Sequence, residues 1–132
     1  MAKRTNETTT RRQRWLPYVR DVADRLRLRD WRIDVSESSP NDPTASAAIW
    51  VCTGRRWAIV HFPDRYFGES REEQRHSVVH ELLHCVTAQY VRAVEGKTAD
   101  DRTLAMLMEY TIDHLADAVA PLLPLPDRSL SA

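Results

Sequence analysis

The chain of 132 residues is short of several things, and each shortage excludes a class of protein. Its two cysteines, Cys52 and Cys85, form no C-x-x-C pair and are too few for a disulfide scaffold. That points to a reducing compartment and leaves neither thiol as an evident metal ligand. No apolar run approaches the roughly 18 residues of a membrane span, and charges run through the N-terminal region in place of an apolar signal segment. Charge of one sign is missing too. Lys plus Arg and Asp plus Glu each number 19, so no overall field favours nucleic acid or marks an acidic mimic. Glycine is scarce, at three residues, and none lies inside a strand-like run, which argues against a bulge. A soluble, cytoplasmic, monomeric protein of one domain is expected.

What is present falls into an ordered series of elements. Residues 1–12 are polar and rich in Thr and Arg, with Lys3, Arg4, Arg11 and Arg12 set against Glu7 alone, and are expected to form a disordered basic tail. Trp15, Leu16, Val19, Val22, Ala23 and Leu26 recur at helical spacing and predict a helix over 13–29. Trp31, Ile33 and Val35 alternate with Arg32 and Asp34, the pattern of a half-buried strand. Two further strands, 46–52 and 56–62, are expected to pair antiparallel through Thr53-Gly54-Arg55, with Gly54 supplying a positive φ. The four tryptophans, Trp15, Trp31, Trp50 and Trp57, are expected in the core.

Ser70 with Glu73 three residues later is a capping-box pattern, so a long helix is expected from about 70 to about 93. Gly96 is its stop, and Asp100 or Asp101 caps the next helix, traced by Leu104, Leu107, Met108, Ile112, Leu115 and Val119 and ended by Pro121 and Pro124. The fold class expected is α+β: an N-terminal helix, a small, mostly antiparallel three-stranded sheet, then two helices, over 13–122, with 123–132 as a C-terminal tail.

Within the first of those two long helices stands His80-Glu81-Leu82-Leu83-His84. At 3.6 residues per turn the two histidines project from one face a turn apart, so two imidazoles can grip one metal ion. Glu81 lies about 100° round the helix, placed to reach a water on that metal without being a ligand. A catalytic zinc usually holds three protein ligands. If the turn centres on Gly96, His84 lies 12 residues before it and Glu109 13 after, so the two meet at one height in an antiparallel hairpin. His80 is likewise level with Asp113, which can accept its free ring N–H. His114 is the competing third ligand, but its position points away from the stripe of Glu109 and Asp113. His76, one turn before His80, is read as a solvent or cleft-rim residue, because three successive turns of a straight helix do not converge on one ion. His61, on the third strand, suits either the cleft or the packed sheet.

His80-Glu81-Leu82-Leu83-His84 followed by Glu109-Tyr110-Thr111-Ile112-Asp113 resembles the two-helix signature of the gluzincin metallopeptidases. The small size, with three strands before the motif helix and little after the second helix, is similar to the minigluzincins and to short zinc peptidase-like proteins of bacteria and phages. The resemblance implies a zincin-like domain with zinc on His80, His84 and Glu109, Glu81 as general base and acid, and Asp113 supporting His80. The metzincin pattern fails, since it wants Gly and His where this chain has Thr87 and Tyr90.

The function expected is therefore that of a zinc-dependent metallopeptidase acting on a peptide or protein substrate, with Glu81 activating a zinc-bound water. The substrate is expected to add to the exposed edge of the strand at 56–62. The alternative is a non-catalytic, zinc-stapled module that binds protein, such as a phage structural or regulatory component. Neither nucleic acid nor membrane is an expected partner.

Overall fold

A computed structural model describes residues 10–41, 44, 46–97 and 100–132. Most of the expected basic tail lies outside the described residues. Of its last residues, Arg12 donates from Nε to the Phe62 carbonyl at 2.9 Å and pairs with Asp64 at 2.7 Å, which ties the start of the domain to the end of the sheet.

A 3-10 turn, Gln13–Trp15, leads into helix α1, Leu16–Arg25, which buries Tyr18, Val19, Val22 and Ala23. Pro17 is accommodated because the first helical turn has no partner for its missing N–H. The helix ends at Arg25, short of the 29 expected. Arg27 adopts φ 66°, its N–H bonding to the Asp24 carbonyl, while the Leu28 N–H bonds to the Ala23 carbonyl. That is a left-handed helix stop of the kind glycine usually makes, formed here by arginine and locked by burial of Leu28.

Three strands follow: β1, Arg32–Val35; β2, Ala48–Cys52; and β3, Trp57–His61. The sheet order is β1-β3-β2, with β3 antiparallel to β2 and parallel to β1. The sheet is mixed, which corrects the mostly antiparallel expectation. The connection between β1 and β2 is long enough to carry the chain past a strand position, so β3 returns into the centre, where Ala58 and Val60 are fully buried. The hairpin expectation is corrected in detail too. Residues Thr53–Arg55 form a 3-10 turn and the positive φ falls on Arg56 instead of Gly54.

One sheet face, with Ile33, Ala58 and Val60, packs on the helices. Trp50 lies on the other and is 46% exposed, against the expectation of a core residue. It meets Trp57 edge to face at 5.1 Å, and Trp57 in turn donates its indole N–H to Asp34 at 2.9 Å. Among the tryptophans Trp15 is the one wholly buried, at the centre of a cluster with Phe62 and Tyr66.

Helix α2, Arg71–Val94, starts where Ser70 Oγ accepts the Glu73 N–H, and helix α3, Asp101–Val119, starts where Asp100 accepts from Thr103. Gly96, at φ 71°, turns the chain between them. After α3 the chain, residues 123–132, runs back across α1 and the first turns of α2. Arg75, Tyr18, Arg71 and Trp15 donate to the carbonyls of Leu123, Pro124, Pro126 and Leu130 respectively, at 2.8 to 3.0 Å. Pro126, within this strap, is fully buried.

Candidate metal centre

Buried Val78, Val79, Leu82 and Cys85 anchor α2 in the core, so the opposite side of the same turns faces an open cleft. His80 and His84 stand on that side, with ring centroids 5.4 Å apart. Their spacing along the helix and the rigid core behind them set this distance. Across the hairpin, α3 supplies Glu109. One of its oxygens lies 2.7 Å from His84 Nε2 and the other 3.1 Å from His80 Nε2. The three donor groups, from His80, His84 and Glu109, lie within 4.8 Å of one another, close enough to share one ion.

The other ring nitrogen of His80, Nδ1, lies 2.7 Å from Asp113 Oδ1. A proton held there leaves Nε2 with its lone pair toward Glu109, the tautomer a metal ligand needs. Burial lowers the pKa of His84, against the pull of the Glu109 carboxylate, and so favours the neutral ring that can donate to a metal.

Glu81 is the charged residue most deeply placed in the cleft, 8% exposed. Its Oε1 is 3.9 Å from His80 Nε2, beside the cluster and not part of it. Burial raises its pKa from 4.5 to about 7; His80 opposes the rise, and the Glu109 and Asp113 carboxylates add to it. This is a carboxyl that exchanges a proton near neutrality.

The remaining histidines stay outside this group. His76 pairs with Asp117 at 2.9 Å, one turn before His80 on α2 and one turn after Asp113 on α3. His114 packs edge to face on Tyr110, 4.4 Å between centroids, and is not among the clustered donors. His61 is half-buried in β3 and does not line the cleft.

The cleft has a volume of about 1040 Å³. Its floor is α2, from His80 and Glu81 on to Ala88 and Val91, and its far wall is β2 with the residues just before it. β2 pairs on one side with β3, and its other edge faces this space, whereas β3 is bonded on both sides. The edge open to an extended chain therefore belongs to β2, which corrects the expectation that placed it on 56–62. The missed signal was the length of the β1–β2 connection, which permits a strand to be inserted between its neighbours in sequence.

No protein-family model, curated protein or solved structure matches this chain. The chemistry of the site is read from its own atoms.

Proposed function

We propose that the chain is a zinc-dependent metallopeptidase with a minimal zincin-like, gluzincin-type site, acting on a peptide or protein substrate. The observation that carries this reading is the position of Glu81: a buried carboxyl in the cleft, next to the His80, His84 and Glu109 cluster yet separate from it. A purely structural ion has no use for such a group.

The donor set fits zinc, which takes imidazole nitrogen and carboxylate oxygen in three-ligand catalytic sites. When bound, zinc supplies Lewis acidity and makes water acidic near neutral pH. His80, His84 and Glu109 would hold it, and Asp113 fixes the ring of His80. Glu81 would accept a proton from the attacking water and return it to the departing amine. Its burial suits both halves of that cycle, because a carboxyl with a pKa of about 7 neither clings to the proton nor gives it up too early. A divalent cation held nearby would lower this pKa and favour the ionised carboxylate, the form that can accept the proton. The free edge of β2 offers backbone groups to an extended polypeptide, with side chains alternating into and out of the cleft.

A second reading has its own support. α3 buries only Ile112 and Ala116, so an ion joining Glu109 to His80 and His84 would be a large part of what holds α3 in place. In that case the protein is a zinc-stapled binding module. One pair of measurements separates the two: metal content of the purified protein, and hydrolysis of an unfolded polypeptide by wild type and Glu81→Gln. The peptidase reading expects about one zinc per chain in both proteins and a loss of at least about 100-fold in rate in the variant. Zinc without hydrolysis in wild type favours the staple, and loss of zinc in Glu81→Gln makes Glu81 a ligand and sinks the role assigned to it.

A further inference from the structure

The cleft runs on past the donor cluster. On α2, His80, His84, Ala88 and Arg92 stand four residues apart, and all four line it. Arg92 is the one Lys or Arg among the described residues that do so; the acidic groups on the walls are Glu81, Glu95, Glu109 and Asp113. Glu109 and Asp113 are engaged with the two histidines, and Glu81 is buried beside them. Among the described residues no hydrogen-bond or ion-pair partner is found for Arg92, although it is exposed and Glu95 follows three residues on. A guanidinium left free at the wall of a cleft presents its donors in a fixed fork, which matches a carboxylate.

The position of Arg92 sets where on a substrate that carboxylate falls. Eight residues at about 1.5 Å each put Arg92 about 12 Å along the axis from His84. Helical side chains lean toward the N-terminus, here back toward the cluster. An extended chain on the edge of β2 advances about 3.4 Å per residue, so the guanidinium meets a group about two to four residues from the bond beside His84. Thr87, Ala88 and Val91, on the intervening wall, have short side chains that leave this path open. Glu95 would select a cation instead, but it caps the far end of α2, about 4.5 Å farther from the cluster, so a substrate bound at the cluster meets Arg92 first.

We infer that Arg92 selects substrates that carry a carboxylate about two to four residues to one side of the scissile bond, as an Asp or Glu side chain or as the free C-terminus. The inference rests on the peptidase reading for the bond that is cut and adds a substrate class to it: acidic polypeptides, or chains cut close to their C-terminus. Arg92 lies outside the donor cluster and acts on choice of substrate, not on the reacting atoms.

The test uses short neutral peptides that carry one Asp, Asn or Lys at each position in turn, each made as the free acid and as the amide. Binding is measured by fluorescence anisotropy on the zinc-loaded Glu81→Gln protein, so that no peptide is cut, and hydrolysis by wild type is followed by mass spectrometry. The peptide with the best-placed carboxylate, internal or terminal, is expected to bind about 10-fold tighter than its neutral counterpart and to be cut faster by a similar factor. Adding Arg92→Ala should erase that preference, and Arg92→Glu should turn it toward Lys, a gain that loss of fold cannot mimic. A preference that follows an internal Asp in the amides assigns the carboxylate to a side chain, and a preference for acid over amide assigns it to the C-terminus. Equal affinity for charged and neutral peptides overturns the inference, as does a wild-type preference for Lys or a carboxylate preference that Arg92→Ala leaves intact. Hydrolysis with no such preference would remove this inference and leave the peptidase reading standing. A carboxylate preference in binding with no hydrolysis by wild type would instead sink the peptidase reading and leave Arg92 as the carboxylate site of a binding module.

Discussion

His80 holds Asp113 Oδ1 2.7 Å from its Nδ1, on the side of the ring away from the one that meets Glu109. One carboxylate thus addresses each nitrogen, and the two differ in what they do: Glu109 shares the donor cluster, and Asp113 sets the ring. Loss of Asp113 should therefore weaken metal binding without abolishing it. In a chelator competition, Asp113→Ala is expected to lower zinc affinity about 10- to 100-fold and Glu109→Ala to lower it further. His76→Ala, which breaks only the pair with Asp117, should leave affinity nearly unchanged. Equal losses in all three variants would show that the hairpin is merely being loosened.

Glu81 predicts a pH dependence in the metal-free protein. Its folded pKa is raised from 4.5 to about 7, chiefly by burial. Below pH 4.5 it is protonated whether the chain is folded or not, and it has no effect on stability. Between 4.5 and about 7 the unfolded chain releases the proton first, so stability falls as pH rises; above about 7 the full cost is present. That cost is about 3 kcal/mol. Denaturant melts should show apo Glu81→Gln matching wild type near pH 4.5 and exceeding it at pH 8. A constant difference across that range would mean Glu81 is not protonated in the fold.

The two thiols should separate cleanly. Cys85 is buried in α2 and its pKa is pushed up to about 12, first by burial and then by the Glu81 carboxylate, whereas Cys52 is only half-buried on β2. A thiol reagent at pH 8 is expected to modify Cys52 in the native protein and Cys85 only on unfolding. Rapid reaction of both would show that α2 opens readily at its centre.

Arg27 makes the fourth case. It occupies a left-handed conformation at φ 66° that costs an L residue with a side chain about 1 kcal/mol. Arg27→Gly should raise stability by a similar amount, read as a higher denaturation midpoint, even though glycine is usually destabilising. No gain would mean the Arg27 side chain contributes as much as the backbone loses.

The parts of this structure legible in the sequence were those governed by helix geometry. His84 and Glu109 could be set level because both helices are regular and Gly96 marks the turn between them, so counting residues measures distance. The sheet was not open to counting. Alternation in Ile33, Val35, Ala58 and Val60 reveals which face is buried, but it is the same whether β1 and β3 run parallel or antiparallel. The end of α1 was hidden for a different reason. The residue at the left-handed position is arginine, so the usual glycine signal is absent and only the tertiary burial of Leu28 selects that stop. Trp50 was misplaced because a tryptophan on a strand looks the same on either face, and here its face has no helix over it.

Four of the bonds that hold the C-terminal strap end on main-chain carbonyls, at Leu123, Pro124, Pro126 and Leu130, and a fifth runs from Gln74 Nε2 to the Ser131 hydroxyl. Carbonyls are common to all residues, so Arg75, Tyr18, Arg71 and Trp15 grip the chain without reading its letters. Drift along the lineage can then rewrite the other side chains of the strap, provided that apolar residues stay at Leu123, Pro126 and Leu130 and a hydroxyl at Ser131. Its spacing is another matter. One inserted residue between Leu123 and Leu130 would put the later grips out of step, so this segment should vary in composition far more freely than in length.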